Sequence, residues 1–153
     1  MDVLKYTALR PLMPLDGVRT LVGTHGLIPD EEGYLAGFPD GVGCRMDVEE
    51  RVGTVSFRRG FPSDIAIQGL CMGMTLTAAR RVRSTLDVVP EAIRIFDPIL
   101  EITEYHDATD EGHWLHVFVV DDVIQCIEIC SPKAVYSPLL AVARLIGIRQ
   151  RKR

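Results

Sequence analysis

Six residues in the run HDATDEGHWLH, residues 106–116, carry side chains that act as acids, bases or metal ligands near neutral pH: His106, Asp107, Asp110, Glu111, His113 and His116. Imidazole next to carboxylate can shuttle protons in that range, and the same groups bind zinc. Their spacing works against one shared site. His113 and His116 are three apart at the start of an extended run, so their side chains point to opposite faces. Asp-Ala-Thr-Asp-Glu-Gly has the composition of a turn. No catalytic residue, metal ligand or cofactor is therefore assigned, and a small His/carboxylate enzyme stands as the alternative function.

Other chemistry is weaker still. Ser56, Ser63, Ser84, Ser131 and Ser137 lack the G-x-S-x-G context of a nucleophile elbow, and His25 stands in a glycine-flanked turn. The glycines at 17, 23 and 26, and at 69 and 73, do not follow a strand and open a helix as phosphate loops do. Cys44, Cys71, Cys126 and Cys130 have no C-x-x-C spacing and apolar neighbours, which predicts buried thiols. Cys126 and Cys130 lie about 13 Å apart on a strand rising ~3.3 Å per residue, too far to bridge.

Charge is more informative than motif. The chain has 153 residues, 47% hydrophobic and 25% charged, and a formal net charge of -4, as expected of one soluble globular domain. No apolar run approaches a membrane span and the N-terminus does not read as a secretion signal, so a cytoplasmic address is expected. Acidic residues gather at Asp30-Glu31-Glu32, Asp47-Glu49-Glu50, Glu101-Glu104 and Asp107-Asp110-Glu111. The last ten residues are basic, with Arg144, Arg149, Arg151, Lys152 and Arg153 at or near the end. An acidic chain without a nucleic-acid signature suits a basic protein partner.

The elements that position these groups come from pattern. GHWLHVFVVDDVIQCIEICSP, residues 112–132, reads as two β-rich strands joined at Asp121-Asp122. GVGCRMDVEERVGTVSFRRG, residues 41–60, has the same design with Glu49-Glu50 at the turn. In the first hairpin Val42, Cys44, Met46 and Val48 share one face, with Gly43, Arg45 and Asp47 on the other. In the second, Leu115, Val117 and Val119 make a second apolar face that the segment from Ser137-Pro138 through LLAVARLIGI would cover as a helix.

Each hairpin follows a helix. Residues 8–24 laid over 69–85 match Leu9 with Leu70, Met13 with Met74, Leu15 with Leu76, Arg19 with Arg80 and Thr24 with Thr85. The helices then follow from apolar spacing of three or four: Leu15, Val18, Leu21 and Val22, and Leu76, Ala79, Val82 and Leu86. Thr75 should cap the second helix and Pro14 occupies the matching place. Gly23 and Gly26 should end the first through positive φ. The hairpins correspond at an offset of 72 rather than 61, pairing Met46 with Phe118 and Val48 with Val120. A short strand near Tyr34 to Phe38 and another within 99–107 complete the prediction. The expected fold is α+β: one domain over 1–153, made of two tandem helix-plus-hairpin repeats, 8–62 and 69–132, sharing one core, with a C-terminal helix at 137–150.

The element G-L-x-x-G-M-T-L-x-x-A-R at 69–80, followed by Trp114 and a strand-turn-strand, resembles small helix-then-sheet domains of the SmpA/BamE type. Residues 69 to about 130 match that shape, and 8–60 match it more loosely with Pro14 in place of Thr. The lipoprotein signal with its Cys is missing, which argues against that family's envelope role. In size, charge and duplicated architecture the chain also looks like bacterial immunity proteins encoded beside toxins of contact-dependent growth inhibition and related competition systems. That resemblance implies a cytosolic toxin inhibitor that is not an enzyme and binds neither nucleic acid nor membrane. Its partner would be a basic, nuclease-like toxin domain, whose active-site region it blocks with acidic loops. The candidate contacts are Asp30, Glu31, Glu32 and Asp40 from the first half and Asp107, Asp110 and Glu111 from the second. Tyr34, Phe38, Tyr105 and Trp114 are candidate aromatic anchors. A structural or assembly-factor domain is a further alternative.

Overall fold

A computed structural model describes residues 2–88 and 102–131. Among them stand a 3-10 turn at Leu4–Ala8, two α-helices and six strands. The helices are α1 (Leu15–Val22) and α2 (Leu76–Val82); the strands are β1 (Val42–Met46), β2 (Val52–Arg58), β3 (Asp87–Val88), β4 (Ile102–Ala108), β5 (Trp114–Val120) and β6 (Val123–Cys130). All six strands form one antiparallel sheet in the order β1-β2-β6-β5-β4-β3. The fold is thus α+β, as the sequence predicts. The expected helix at 137–150 and the basic tail lie outside the described residues.

The helix boundaries follow from local chemistry. The Thr75 side chain accepts a hydrogen bond from Ala78 N–H, satisfying one of the free donors of the first turn of α2. Pro14 takes the same place before α1, with the extended backbone of an N-cap but no side-chain bond. Gly23 ends α1 in the left-handed region at φ 74°. Gly26 does not take part in that cap, because the stop needs a single positive φ and Gly23 already supplies it. α2 is shorter than its apolar spacing suggests: Val82 is exposed at its end, while Leu86 is buried beyond it.

Both helix starts are fastened to the turn of a hairpin in the same way. Leu12 N–H donates to Val52 O, Val52 N–H to Met13 O and Leu15 N–H to Glu50 O. In the second half Gly73 N–H donates to Ile124 O, Ile124 N–H to Met74 O and Leu76 N–H to Asp122 O. β2 and β6 then pair between the hairpins, from Thr54 opposite Cys130 to Arg58 opposite Cys126, with Ser56 opposite Glu128 at the middle.

The turns correct the expected register. β1 and β2 skip Gly53 between the pairs Arg45–Thr54 and Met46–Val52; β5 and β6 skip Gln125 between Phe118–Cys126 and Val119–Ile124. Met46 therefore corresponds to Val119, not Phe118, because the second turn is one residue shorter. Asp121 and Asp122 both have positive φ, 51° and 64°, the two-residue arrangement that suits the twist of a hairpin. Val48 does not continue the inward face of β1: it stands fully exposed in the longer first turn.

One apolar cluster lies on the helix side of the sheet. It contains Val18 and Val22 of α1, Ala79 of α2, and Val42, Cys44, Val55, Phe57, Leu115, Val117, Val119, Ile127 and Ile129 of the strands. Leu115, Val117 and Val119 thus face the helices, not the opposite side as expected. The opposite face of the second hairpin carries Phe118, Cys126 and Cys130, also buried, and with them Ile102 of β4. Burial pushes the Cys44 thiol up to about 12, so it stays protonated and inert at neutral pH.

Candidate functional site

The acidic residues separate into groups with different surroundings. Asp30, Glu31 and Glu32 form an exposed turn between α1 and β1, held by Asp30 Oδ1, which accepts from the N–H groups of Glu32 and Tyr34 at 2.9 Å each. Across from it lies the first hairpin turn, where Asp47 Oδ1 accepts from Glu49 N–H at 2.9 Å and Arg51 N–H at 3.1 Å. An open groove of about 740 Å³ runs between the two turns, lined by Asp30, Glu31, Glu32, Asp47 and Glu50. Its apolar wall includes Ile28, 75% exposed, and Val48. Among the described residues Arg45 is the one cation in the lining; its Nε donates to Glu32 O at 2.9 Å and its guanidinium lies 5.4 Å from the Tyr34 ring.

The remaining candidates do not join that groove. Asp40 lines a separate pocket with Phe38, Gly43, Ser56 and Arg58. Asp110 and Glu111 are exposed in the β4–β5 turn, where Glu111 Oε1 accepts from Arg10 Nε at 2.9 Å. Asp107 corrects the expectation of a loop carboxylate. It lies on β4, buried, and accepts from Arg83 Nε and Thr85 Oγ1 at 2.9 Å each and from Ala108 N–H. Burial pushes its carboxyl up, but the bonds from Thr85, Ala108 and Arg83 together with the Arg83 charge prevail and hold it below the ordinary 3.8. Such a group ties the end of α2 to the sheet and is not presented to a partner.

The aromatic candidates also divide. Tyr105 is buried on the helix side, and half-buried Phe38 packs on Tyr6 at 5.3 Å between ring centroids. Trp114 is 46% exposed, with His106 against it at 6.2 Å.

A second polar constellation crosses the sheet on the face away from the helices. Directly opposed residues run Asp87, His106, His116, Glu128, Ser56 and Gly43 over all six strands. At its centre His116 Nδ1 lies 2.8 Å from Glu104 Oε1, and His116, Glu104 and Glu128 are all buried. His113, by contrast, sits in the turn before β5. Among the described residues no group of three His, Cys, Asp or Glu side chains is placed to hold a metal ion.

Sequence reasoning missed Asp47, Glu50, Ile28 and Val48 as groove residues, and Ser56, Glu104 and Glu128 as members of the polar row. The doublet of charge in each turn is visible in the sequence, but Val48 continues the period-2 pattern of β1 and so reads as inward-facing. The row depends on the register between β2 and β6, which sets Ser56 opposite Glu128, 72 residues on, a relation that no local pattern carries.

The arrangement defines an α+β protein with an acidic groove beside a short antiparallel hairpin and, on the sheet face away from the helices, a polar row whose centre is buried. Residues 1–138 match a family described as a domain of unknown function (DUF7256), and the chain belongs to that family. No curated protein and no solved structure matches it.

Proposed function

We propose that the protein is a binding protein that receives a basic segment of another protein in the groove between the 30–32 turn and the 47–50 turn. The observation that carries this reading is the lining: five carboxylates and one arginine around exposed Ile28 and Val48. Each exposed ion pair contributes little, because water screens it and ordering costs entropy. Five carboxylates of one sign attract over about a Debye length and accelerate encounter, while apolar side chains dock once water leaves. Asp110 belongs to a secondary acidic contact, and Asp107 has no part in it.

The partner class that fits is a toxin domain, nuclease-like, whose active site is basic because it must hold phosphates. Covering that site would make this chain an immunity protein working in the cytosol. No helix among the described residues is long and apolar enough to cross a membrane. Co-expression tests the reading. The wild-type chain should protect cells from its toxin, and Asp30→Asn/Glu31→Gln/Glu32→Gln should protect at least tenfold less well.

The finer architecture belongs to the same proposal: two helix-and-hairpin units, fused in tandem and related by an approximate dyad through Ser56 and Glu128. Its support is the identical set of three hydrogen bonds at each helix start and the symmetric pairing of β2 with β6. In that arrangement the bridge of Tyr34 to Arg45 stands where β4 borders β5.

A second reading, acid–base catalysis, draws on the buried His116–Glu104 contact with Glu128 and His106 on the adjacent strands. A hydrolytic turnover lost in His116→Gln, with the fold unchanged, would establish it.

A further inference from the structure

The polar row that crosses the sheet ends at Gly43, the one position in it without a side chain. The space left there is a pocket of about 230 Å³ between β1, β2 and the 34–41 loop, lined by Tyr34, Phe38, Asp40, Gly43, Ser56 and Arg58 among others. Two groups converge on it. A Cβ built on Gly43 would stand 2.5 Å from Ser56 Oγ and 3.7 Å from Arg58 Nη2, so a hydroxyl and a guanidinium share the space above one glycine. Ser56 and Arg58 are two apart on β2 and therefore project from the same face.

Arg58 is half-buried and, among the described residues, its guanidinium makes no hydrogen bond or ion pair; the salt bridges involve Arg10, Arg19, Arg83 and His116 instead. The Ser56 side chain likewise has no partner there, although the residue is only 5% exposed. A guanidinium taken partly out of water without a bonded partner loses solvation and regains it by meeting a planar anion, for which its fork of donors is shaped. The loop holds the opening in place: Gly41, at φ 81°, lets Arg58 N–H reach Gly41 O at 2.7 Å, and any Cβ at Gly41 would fall 2.2 Å from Phe61 N.

The geometry points to a binding site for a small carboxylate in this pocket, its oxygens taken by Arg58 and Ser56 with Gly43 as the floor. The Asp40 carboxylate, which also lines the pocket, opposes added negative charge. A monoanion sets one charge against Arg58, whereas a phosphate dianion brings twice that charge against Asp40. The volume admits a molecule of a few heavy atoms, or the end of a peptide chain. This inference is independent of the acidic groove, whose lining shares no residue with the pocket.

Titration of the ¹⁵N-labelled protein with sodium acetate, against sodium chloride at matched ionic strength and against acetamide, tests it. Acetate should move the amides of Gly43, Ser56 and Arg58 to saturation with a half-point on the order of millimolar, as its four heavy atoms allow. Arg58→Gln and Ser56→Ala, each with an unaltered amide spectrum elsewhere, should raise that half-point at least tenfold and about threefold. N-acetylglycylglycine separates the sources: tighter binding than acetate assigns the site to a chain end, weaker binding to a small free acid. Equal shifts from chloride or acetamide, tighter binding of inorganic phosphate than of acetate, or an Arg58→Gln protein that binds acetate as before would each overturn the proposal.

Discussion

At the scale of single residues, the same side-chain type does opposite things depending on what surrounds it. Asp107 and Asp110 are three apart in sequence, yet one is buried against Arg83 and Thr85 while the other is exposed in a turn. Asp107→Asn should therefore cost about 1–3 kcal/mol, the range for a buried hydrogen-bonded charge. Because the folded state holds this carboxyl below 3.8, its stabilisation is fully present above pH 3.8 and is lost as pH falls through the lower folded-state value. Denaturant titrations of the two proteins should differ at pH 7 and converge at strongly acid pH. A constant gap over that range would show that the asparagine disturbs packing, not charge. The sequence could not make this distinction, since Asp107 opens a run of turn formers and its partner Arg83 lies 24 residues earlier.

At the scale of elements, caps and turns were largely legible because they depend on neighbours in the chain. Thr75 and Gly23 perform the capping their types predict. Thr75→Ala should destabilise the protein by about 1 kcal/mol, read as a lower denaturation midpoint with unchanged slope. The Asp121-Asp122 turn holds two non-glycine residues at positive φ, so Asp122→Gly should stabilise by roughly 0.5–1 kcal/mol by removing that strain. Loss of stability instead would mean that the Asp122 side chain supports the turn. The boundaries were harder. Val48 extends the alternation of β1, but the strand ends at Met46, where Asp47 turns the chain by binding the N–H groups of Glu49 and Arg51. The one-residue difference in turn length then shifted the expected match of β1 with β5, because a slip of one reverses the faces of a strand.

At the scale of the whole molecule, the α+β class was legible and the sheet order was not. Period and turn signals identify hairpins, while the joining of β2 to β6 depends on pairing between residues 68 to 76 apart. That joint unites the two hairpins over one apolar cluster, with Phe57 and Ile127 opposite each other inside it. Phe57→Ala should cost about 3–5 kcal/mol and unfold both hairpins together in hydrogen exchange. Separate opening of the halves would argue against a shared core. The acidic groove was legible only in part: Asp30, Glu31 and Glu32 were identified by composition, whereas Asp47, Glu50, Ile28 and Val48 join them through the fold.

The groove carries the functional reading, and its charge makes that reading measurable. The affinity of the proposed basic partner should be determined against salt for the wild-type chain and for Asp30→Asn/Glu31→Gln/Glu32→Gln. The variant should bind at least tenfold more weakly near physiological ionic strength and with a flatter dependence on salt. Equal affinities with the same salt slope would contradict it, because the partner would then be held by another surface.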